Sequence, residues 1–497
     1  MEPTLFGIRL SAELEQYLHR TNPWWHGEPL PPLPPMRRWL FPVVLKRLQG
    51  GLTPVVVLRG ARQVGKTTLQ NQVIESLLNA GVEPRRIFRV QFDEIPALHH
   101  LTQPLLSLYY WYEQQILGES FNAAARAGKP AYIFLDEAQN LRHWSAQLKA
   151  LVDHASVRVL LTGSSALRIE HGRESLAGRV TTLEMGTLLL REVAAMHGLD
   201  ELPGLLPANG IGELKRREFW TELREFAEQH AVVRDAAFHL FAQRGGYPVA
   251  HREAEMEWSE IAAYLNETIV RRVIVHDLRV GERGRKRDQN LLETLFTLVC
   301  RNAWQSPSHA VYAQELRAAL GANVGSQRIL AYLRFLHDSL LIRLIAPLEI
   351  RLKRRKGNSK LCLCDHSLRA SWLQEVVPLT PEELHKAPEQ SGLAGHIAES
   401  IVGYFLASMP EASLAWFPER GVEPEVDFVL TIGDTRIPIE VKYRQRIDPH
   451  RDTLGLRAFV EKAINNAPFG ILVTLTSAEV PDPRIVALPL CSLLLMR

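Results

Sequence analysis

The chain has 497 residues, 46% apolar and 23% charged, with a formal net charge of +3. This is the composition of a soluble globular protein, and the length exceeds what one core fills, so two or three domains are expected. No apolar run approaches the length of a bilayer and Met1-Glu-Pro-Thr lacks the basic start of a signal peptide, so a cytoplasmic protein without a membrane partner is expected. Four cysteines, Cys300, Cys362, Cys364 and Cys491, give neither a disulfide framework nor zinc spacing.

Residues 1–45 contain Asn22-Pro-Trp-Trp25 and Pro31-Pro-Leu-Pro-Pro35, a proline-rich arm without regular elements that is expected to pack across the domain that follows. Strand-loop-helix units then repeat over 46–195, the pattern of a doubly wound parallel sheet in an α/β fold. The first strand, Val55-Val-Val-Leu58, runs into Gly60-Ala61-Arg62-Gln63-Val64-Gly65-Lys66-Thr67, followed by helix-forming Thr68 to Leu78. That spacing is a phosphate-binding loop, whose N–H groups and helix N-terminus cradle phosphate, with Lys66 on the β/γ-phosphates and Thr67 on Mg²⁺. ATP is the expected ligand, held by residues 60–68.

A second apolar strand, Ala131 to Leu135, ends in Asp136-Glu137. Asp136 would hold Mg²⁺ through its water shell and Glu137 would orient the attacking water. The strand Val157-Arg-Val-Leu-Leu161 ends in Thr162-Gly-Ser-Ser165, where small hydroxyl side chains would sense the γ-phosphate. Gly178-Arg179 precedes another strand, Val180 to Met185, so Arg179 lies at an element boundary, from which an arginine finger could reach the nucleotide of a neighbouring copy. A homo-oligomer follows from that reading.

Residues 196–285 read as a helical lid and linker, with a Pro/Gly-rich link from Gly198 to Gly212, a helical stretch from Glu213 to Gln243 and a sharp break at Gly245-Gly-Tyr-Pro248. Residues 286–366 contain three amphipathic helical patterns, Asn290 to Arg301, Tyr312 to Leu320 and Gln327 to Leu341, then strand-like Leu341 to Ile350 and Lys360 to Cys364. This is the order of a winged helix. Its last helix, with Ser326, Gln327, Arg328 and Arg334, would enter the major groove, and Lys353, Arg354, Arg355 and Lys356 at the wing tip would contact phosphate. DNA rather than RNA is the expected partner. Arg283-Gly-Arg-Lys-Arg287 is a second basic cluster, and Cys362, Cys364 and His366 alternate as one buried strand face would.

Residues 367–497 change character. A helix from Gly395 to Ala407 carries Glu399, and strand-like Glu425 to Leu430 is joined through Gly433-Asp434 to strand-like Ile437 to Lys442. A hairpin there would face Asp427 towards Glu440 and Lys442, which share one side of their strand. Two carboxylates and a lysine can bind Mg²⁺ or Mn²⁺ and activate water; the same three can equally be a buried ion-pair network. The spacing arises by chance about once per two chains of this length, so its weight rests on the surrounding elements.

The motifs Gly60 to Thr67, Leu135-Asp-Glu137, Thr162-Gly-Ser-Ser165, Gly178-Arg179, Arg191-Glu192, Gly246-Tyr-Pro248 and Glu425 to Lys442, in this order, resemble one prokaryotic family. It comprises AAA-superfamily ATPases that carry a C-terminal region of PD-(D/E)XK nuclease fold. The resemblance implies an AAA-type P-loop NTPase core, a winged helix and a restriction-endonuclease-like α/β domain, with Asp427, Glu440 and Lys442 as the nuclease residues. Ser165 stands where that family's sensor pattern has asparagine. The expected activity is Mg²⁺-dependent ATP hydrolysis coupled to DNA processing, repair or defence. The alternative is a nucleotide-dependent regulatory switch or DNA-remodelling motor whose nuclease-like domain only binds.

Overall fold

The computed structural model describes residues 10–92, 98, 101–141, 143–163, 176–206, 210–252, 256–276, 288–302, 309–321, 324–349, 358–419, 421 and 423–497. They divide into two units, Met1–Met185 and Gly186–Arg497.

The first unit is built on five parallel strands: β1 (Val55–Gly60), β2 (Ile87–Gln91), β3 (Ala131–Asp136), β4 (Val157–Gly163) and β5 (Val180–Met185), in the spatial order β2-β3-β4-β1-β5. Continuous apolar runs such as Val55–Leu58 and Ile133–Leu135 are buried within the sheet's layers, as all-parallel strands require. In register, Leu58 of β1 lies beside Thr162 of β4, and Thr162 beside Asp136 of β3. The ends of three strands thus converge at a crevice where the strand order reverses, the usual ligand position of an open α/β sheet.

The N-terminal arm is more regular than its prolines predict. Helix Ala12–Thr21 is capped by Ser11, whose side chain accepts from the Leu14 N–H, and a 3-10 turn spans Pro23–His26. This segment covers the exposed edge of β2. The Asn22 side chain bonds both the N–H and the C=O of Arg89, at 2.7 and 2.9 Å, while the indole N–H groups of Trp24 and Trp25 donate to the Ile87 carbonyl at 3.0 and 2.9 Å. A sheet edge covered in this way cannot pair with another strand. Further along the arm, the carbonyls of Pro34 and Met36 accept from buried Gln72, each at 2.9 Å, which ties it to the helix after β1.

The second unit starts with helices. Glu213 to Gln243, one helical pattern in the sequence, forms a 3-10 turn and two helices, Arg217–Gln229 and Ala231–Arg244, broken at His230. Helices Gln289–Asn302, His309–Leu320 and Ser326–Asp338 are followed by an antiparallel pair, β6 (Ile342–Ile345) and β7 (Lys360–Leu363). β7 is shorter than the alternation suggested. Cys362 and Cys364 are buried, but His366 begins the helix His366–Leu373, because Asp365 caps that helix by accepting from the Ser367 N–H.

The C-terminal sheet is mixed: β8 (Ser413–Phe417), β9 (Val426–Ile432) and β10 (Thr435–Lys442) are antiparallel neighbours, and β11 (Gly470–Thr474) and β12 (Ile485–Pro489) continue in parallel with β10. Helix Ser391–Ala407 packs against the sheet, and Gly403 lies so close to β9 that a Cβ there would meet the Phe428 ring at 2.7 Å.

Candidate functional site

The first unit's site begins where β1 ends. Gly60 approaches the next strand so closely that a Cβ there would lie 2.5 Å from the Met185 carbonyl oxygen. Gly65 adopts φ 95°, a left-handed conformation that glycine alone takes without steric cost, and it starts helix Lys66–Asn79. The loop between them exposes backbone donors at a helix N-terminus, an arrangement suited to phosphate. Lys66 is buried and its ammonium donates to the carbonyls of Gly60 and Ala61 at 3.0 and 2.7 Å. Phosphate oxygens, being charged acceptors, bind an ammonium more strongly than those carbonyls do.

Thr67 and Asp136 meet at 2.9 Å, hydroxyl to carboxylate, although they are 69 residues apart. Burial raises the Asp136 carboxyl above its usual range, as does the neighbouring Glu137, against the lowering effects of the Thr162 and Thr67 hydroxyls and of Arg89. A hydroxyl and a carboxylate side by side at the mouth of the loop are hard oxygen donors that fit Mg²⁺ beside phosphate. Glu137 follows at φ 54°, with its N–H bonded to the Thr162 carbonyl at 2.9 Å. A non-glycine residue held left-handed costs about 1 kcal/mol or more, and such strain concentrates at functional sites.

Two side chains that the motifs do not contain, Arg38 and Arg89, complete this site together with Thr162 of the β4 motif. Arg38, buried, donates from Nη1 to the Val64 carbonyl inside the loop at 2.5 Å. Arg89 lies 3.7 Å from the Asp136 carboxylate and donates to Gln70 at 3.2 Å. Thr162 is fully buried and turned to Asp136 at 2.5 Å. Ser165 lies outside the described residues.

Arg179 stands at the other end of the sheet from the loop of its own chain. Its carbonyl accepts from Val55 at the start of β1, five residues before Gly60, a separation of about 17 Å along a strand. Its guanidinium forms a two-bond pair with Asp153, at the end of helix Trp144–His154.

The second unit brings Asp427, Glu440 and Lys442 together on β9 and β10, with Glu399 from the helix beside them. Lys442 donates to Glu440 at 2.6 Å, and the Asp427 carboxylate accepts from the Val441 N–H at 2.9 Å. A residue without any motif joins them: Lys360, the first of β7, is buried and contacts Glu399 at 2.6 Å, Asp427 at 3.2 Å and Glu425 at 3.3 Å. Four carboxylates therefore share two ammonium groups. Burial pushes Glu399 and Glu440 up to about 8, as does the charge of Asp427. Asp427 goes the other way: burial opposes ionisation, but Lys360 and Lys442 hold it below the usual carboxylate range.

Among the described residues no group of three or more His, Cys, Asp and Glu side chains could hold a metal ion. At Asp427 and Glu440 the reason is visible. Each Asp427 oxygen already accepts a bond, from Lys360 and from the Val441 N–H, and so does each Glu440 oxygen, from Lys442 and, at 3.4 Å, from the Asp427 N–H, so two ammonium groups already occupy these carboxylates. The residues present do not fit a divalent cation there. Arg328 is half exposed near the start of its helix, 3.7 Å from Asp288. Lys353, Arg354, Arg355 and Lys356 lie outside the described residues, as does the cluster 283–287.

A glycine loop between β1 and its helix, answered by Asp136 at the end of β3, defines a P-loop NTPase core. Residues 52–194 match the family model described as an AAA domain, so this stretch carries an AAA-like P-loop ATPase. An uncharacterised protein of Methanocaldococcus jannaschii is 23% identical over 239 residues, 47% of this chain and 46% of that protein; the chain thus spans about half the length of this relative. Among solved structures, a Walker-type ATPase of Pyrococcus abyssi is 15% identical, with a TM-score of 0.37 over 69% of this chain and 99% of that one. The RuvB Holliday junction branch migration motor of Thermotoga maritima is 13% identical, with a TM-score of 0.28 over 61% of this chain and 87% of that one. No helix among the described residues is long and apolar enough to cross a membrane.

Proposed function

We propose that the chain is a Mg²⁺-dependent ATP hydrolase that acts on DNA, its nucleotide state being coupled to a winged helix and a nuclease-like domain in DNA processing, repair or defence. The observation that carries the ATPase part is the contact of Thr67 with Asp136 beside the loop of Lys66. These two would hold Mg²⁺, Lys66 would bind the β/γ-phosphates, and Glu137 would orient the attacking water. The cation would supply charge neutralisation on the transferring phosphate. Arg179 is proposed to act in trans within a cytoplasmic homo-oligomer, exchanging Asp153 for the phosphate of a neighbour's nucleotide.

DNA contact is supported by three helices followed by a strand pair, by the exposure of Arg328, and by the basic sequence 351–356 that joins the two strands. In the nuclease-like domain, Asp427, Glu440 and Lys442 would cut phosphodiesters if they held Mg²⁺ or Mn²⁺. The buried ammonium of Lys360 among these carboxylates favours a second reading, in which the domain binds and the protein is a nucleotide-dependent switch or remodelling motor.

The test is the steady-state ATPase rate of the purified chain with and without double-stranded, single-stranded and branched DNA. A several-fold stimulation by at least one form is expected. An unchanged rate with all three, at concentrations where each would saturate a basic groove, would remove DNA from the reading. Supercoiled and linear DNA incubated with Mg²⁺ or Mn²⁺ separates cutting from binding.

A further inference from the structure

We infer that Lys360 is the resident cation of the C-terminal carboxylate cluster, standing where a nuclease-like site would hold a divalent metal, so that the cluster is assembled without one. This rests on reading the sheet β8–β12 as nuclease-like.

Lys360 is not part of that sheet. It comes from β7, 67 residues before Asp427 in sequence, a strand that packs against helix Ser391–Ala407. It bonds Glu399 at 2.6 Å and Asp427 at 3.2 Å, and reaches Glu425 at 3.3 Å. Aromatic faces close the remaining directions: its nitrogen lies 5.2 Å from the ring centre of Phe428 and 5.6 Å from that of Trp416, distances at which ring quadrupoles stabilise a cation. The side chain is only 4% exposed, so this is an interior charge with a complete set of acceptors and not a surface lysine resting on acids.

An ammonium seated on a buried carboxylate opposes a divalent cation on the same group, because the two like charges repel. A metal would also have to compete for carboxylate oxygens that, on Asp427 and Glu440, already accept from Lys360, Lys442 and two backbone N–H groups. Lys360 thus does for the fold what a metal does elsewhere: it gathers acids from a helix and a strand around one positive centre. Replacing it by a neutral, slightly shorter side chain should open the position to a metal.

The experiment is a Mn²⁺ titration of the nucleotide-free full chain, followed by electron paramagnetic resonance. Wild type and Asp427→Asn should bind the same number of Mn²⁺ ions. Lys360→Gln should bind one more, and Lys360→Gln with Asp427→Asn should lose that ion again. The inference is overturned if wild type binds one Mn²⁺ more than Asp427→Asn, or if a folded Lys360→Gln protein gains none. Where Lys360→Gln does not fold by circular dichroism, the comparison of wild type with Asp427→Asn decides alone. DNA binding by the wild-type chain is scored separately. Its absence would remove the nuclease-like reading and leave the Mn²⁺ result standing, whereas metal-dependent cutting lost in Asp427→Asn would overturn the resident cation itself.

Discussion

At the scale of single residues, the phosphate loop is shaped as much by Arg38 as by its glycines. The guanidinium satisfies the Val64 carbonyl, and Gln72 fixes the arm two and four residues before Arg38. Arg38→Ala would leave that carbonyl unsatisfied in a buried place, at a cost of about 1–3 kcal/mol. Weaker ATP binding with little change in the rate at saturation is the expected result in a binding and turnover comparison. Asp136 gives a second expectation. Its carboxyl is raised, mainly by burial, and a bound cation needs it ionised. The apparent Mg²⁺ affinity should therefore fall as the pH is lowered, beginning above the usual carboxylate range, and Asp136→Asn should abolish this pH dependence.

Among elements, the strands are the part that the sequence made legible. Val55, Ala131 and Val157 are where apolar runs start and where β1, β3 and β4 start, because a buried parallel strand must be apolar throughout; β5, Val180–Met185, is a half-buried edge strand that carries Thr181, Thr182 and Glu184. The convergence of Asp427 with Glu440 could also be read, since Gly433-Asp434 fixes a hairpin and a strand has period two. Lys360 could not, because no local spacing links β7 to a hairpin 67 residues on. Arg38 was hidden for the same reason, within an arm whose prolines conceal a helix and an edge cover. The Arg179–Asp153 pair is the element-level test of assembly. Arg179→Ala and Lys66→Ala should each be inactive alone and recover part of the ATPase rate when mixed, since some interfaces then join an intact loop to an intact arginine. No recovery at any mixing ratio would remove the arginine from the active site of a neighbour.

For the molecule as a whole, the C-terminal cluster makes stability depend on pH. Glu399 and Glu440 have folded values of about 8 against 4.5 for the free side chain, so the folded state keeps protons that the unfolded state releases. This contribution is fully present below about pH 4.5 and is lost as the pH rises through about 8. Between pH 5 and pH 8.5 the second unit should therefore lose stability from this source, and Glu399→Gln should flatten that dependence in thermal unfolding followed by calorimetry.

The central claim is that ATP is hydrolysed where the phosphate loop meets Asp136 and Glu137. Its most direct test is to measure nucleotide affinity and phosphate release on wild type and Glu137→Gln side by side, with Mg²⁺. Binding should be retained and turnover should fall by about 10²–10⁴-fold, the range for losing a group that handles the attacking water's proton. Turnover by Glu137→Gln at the wild-type rate, or a wild-type chain that binds ATP and releases no phosphate, would contradict the account.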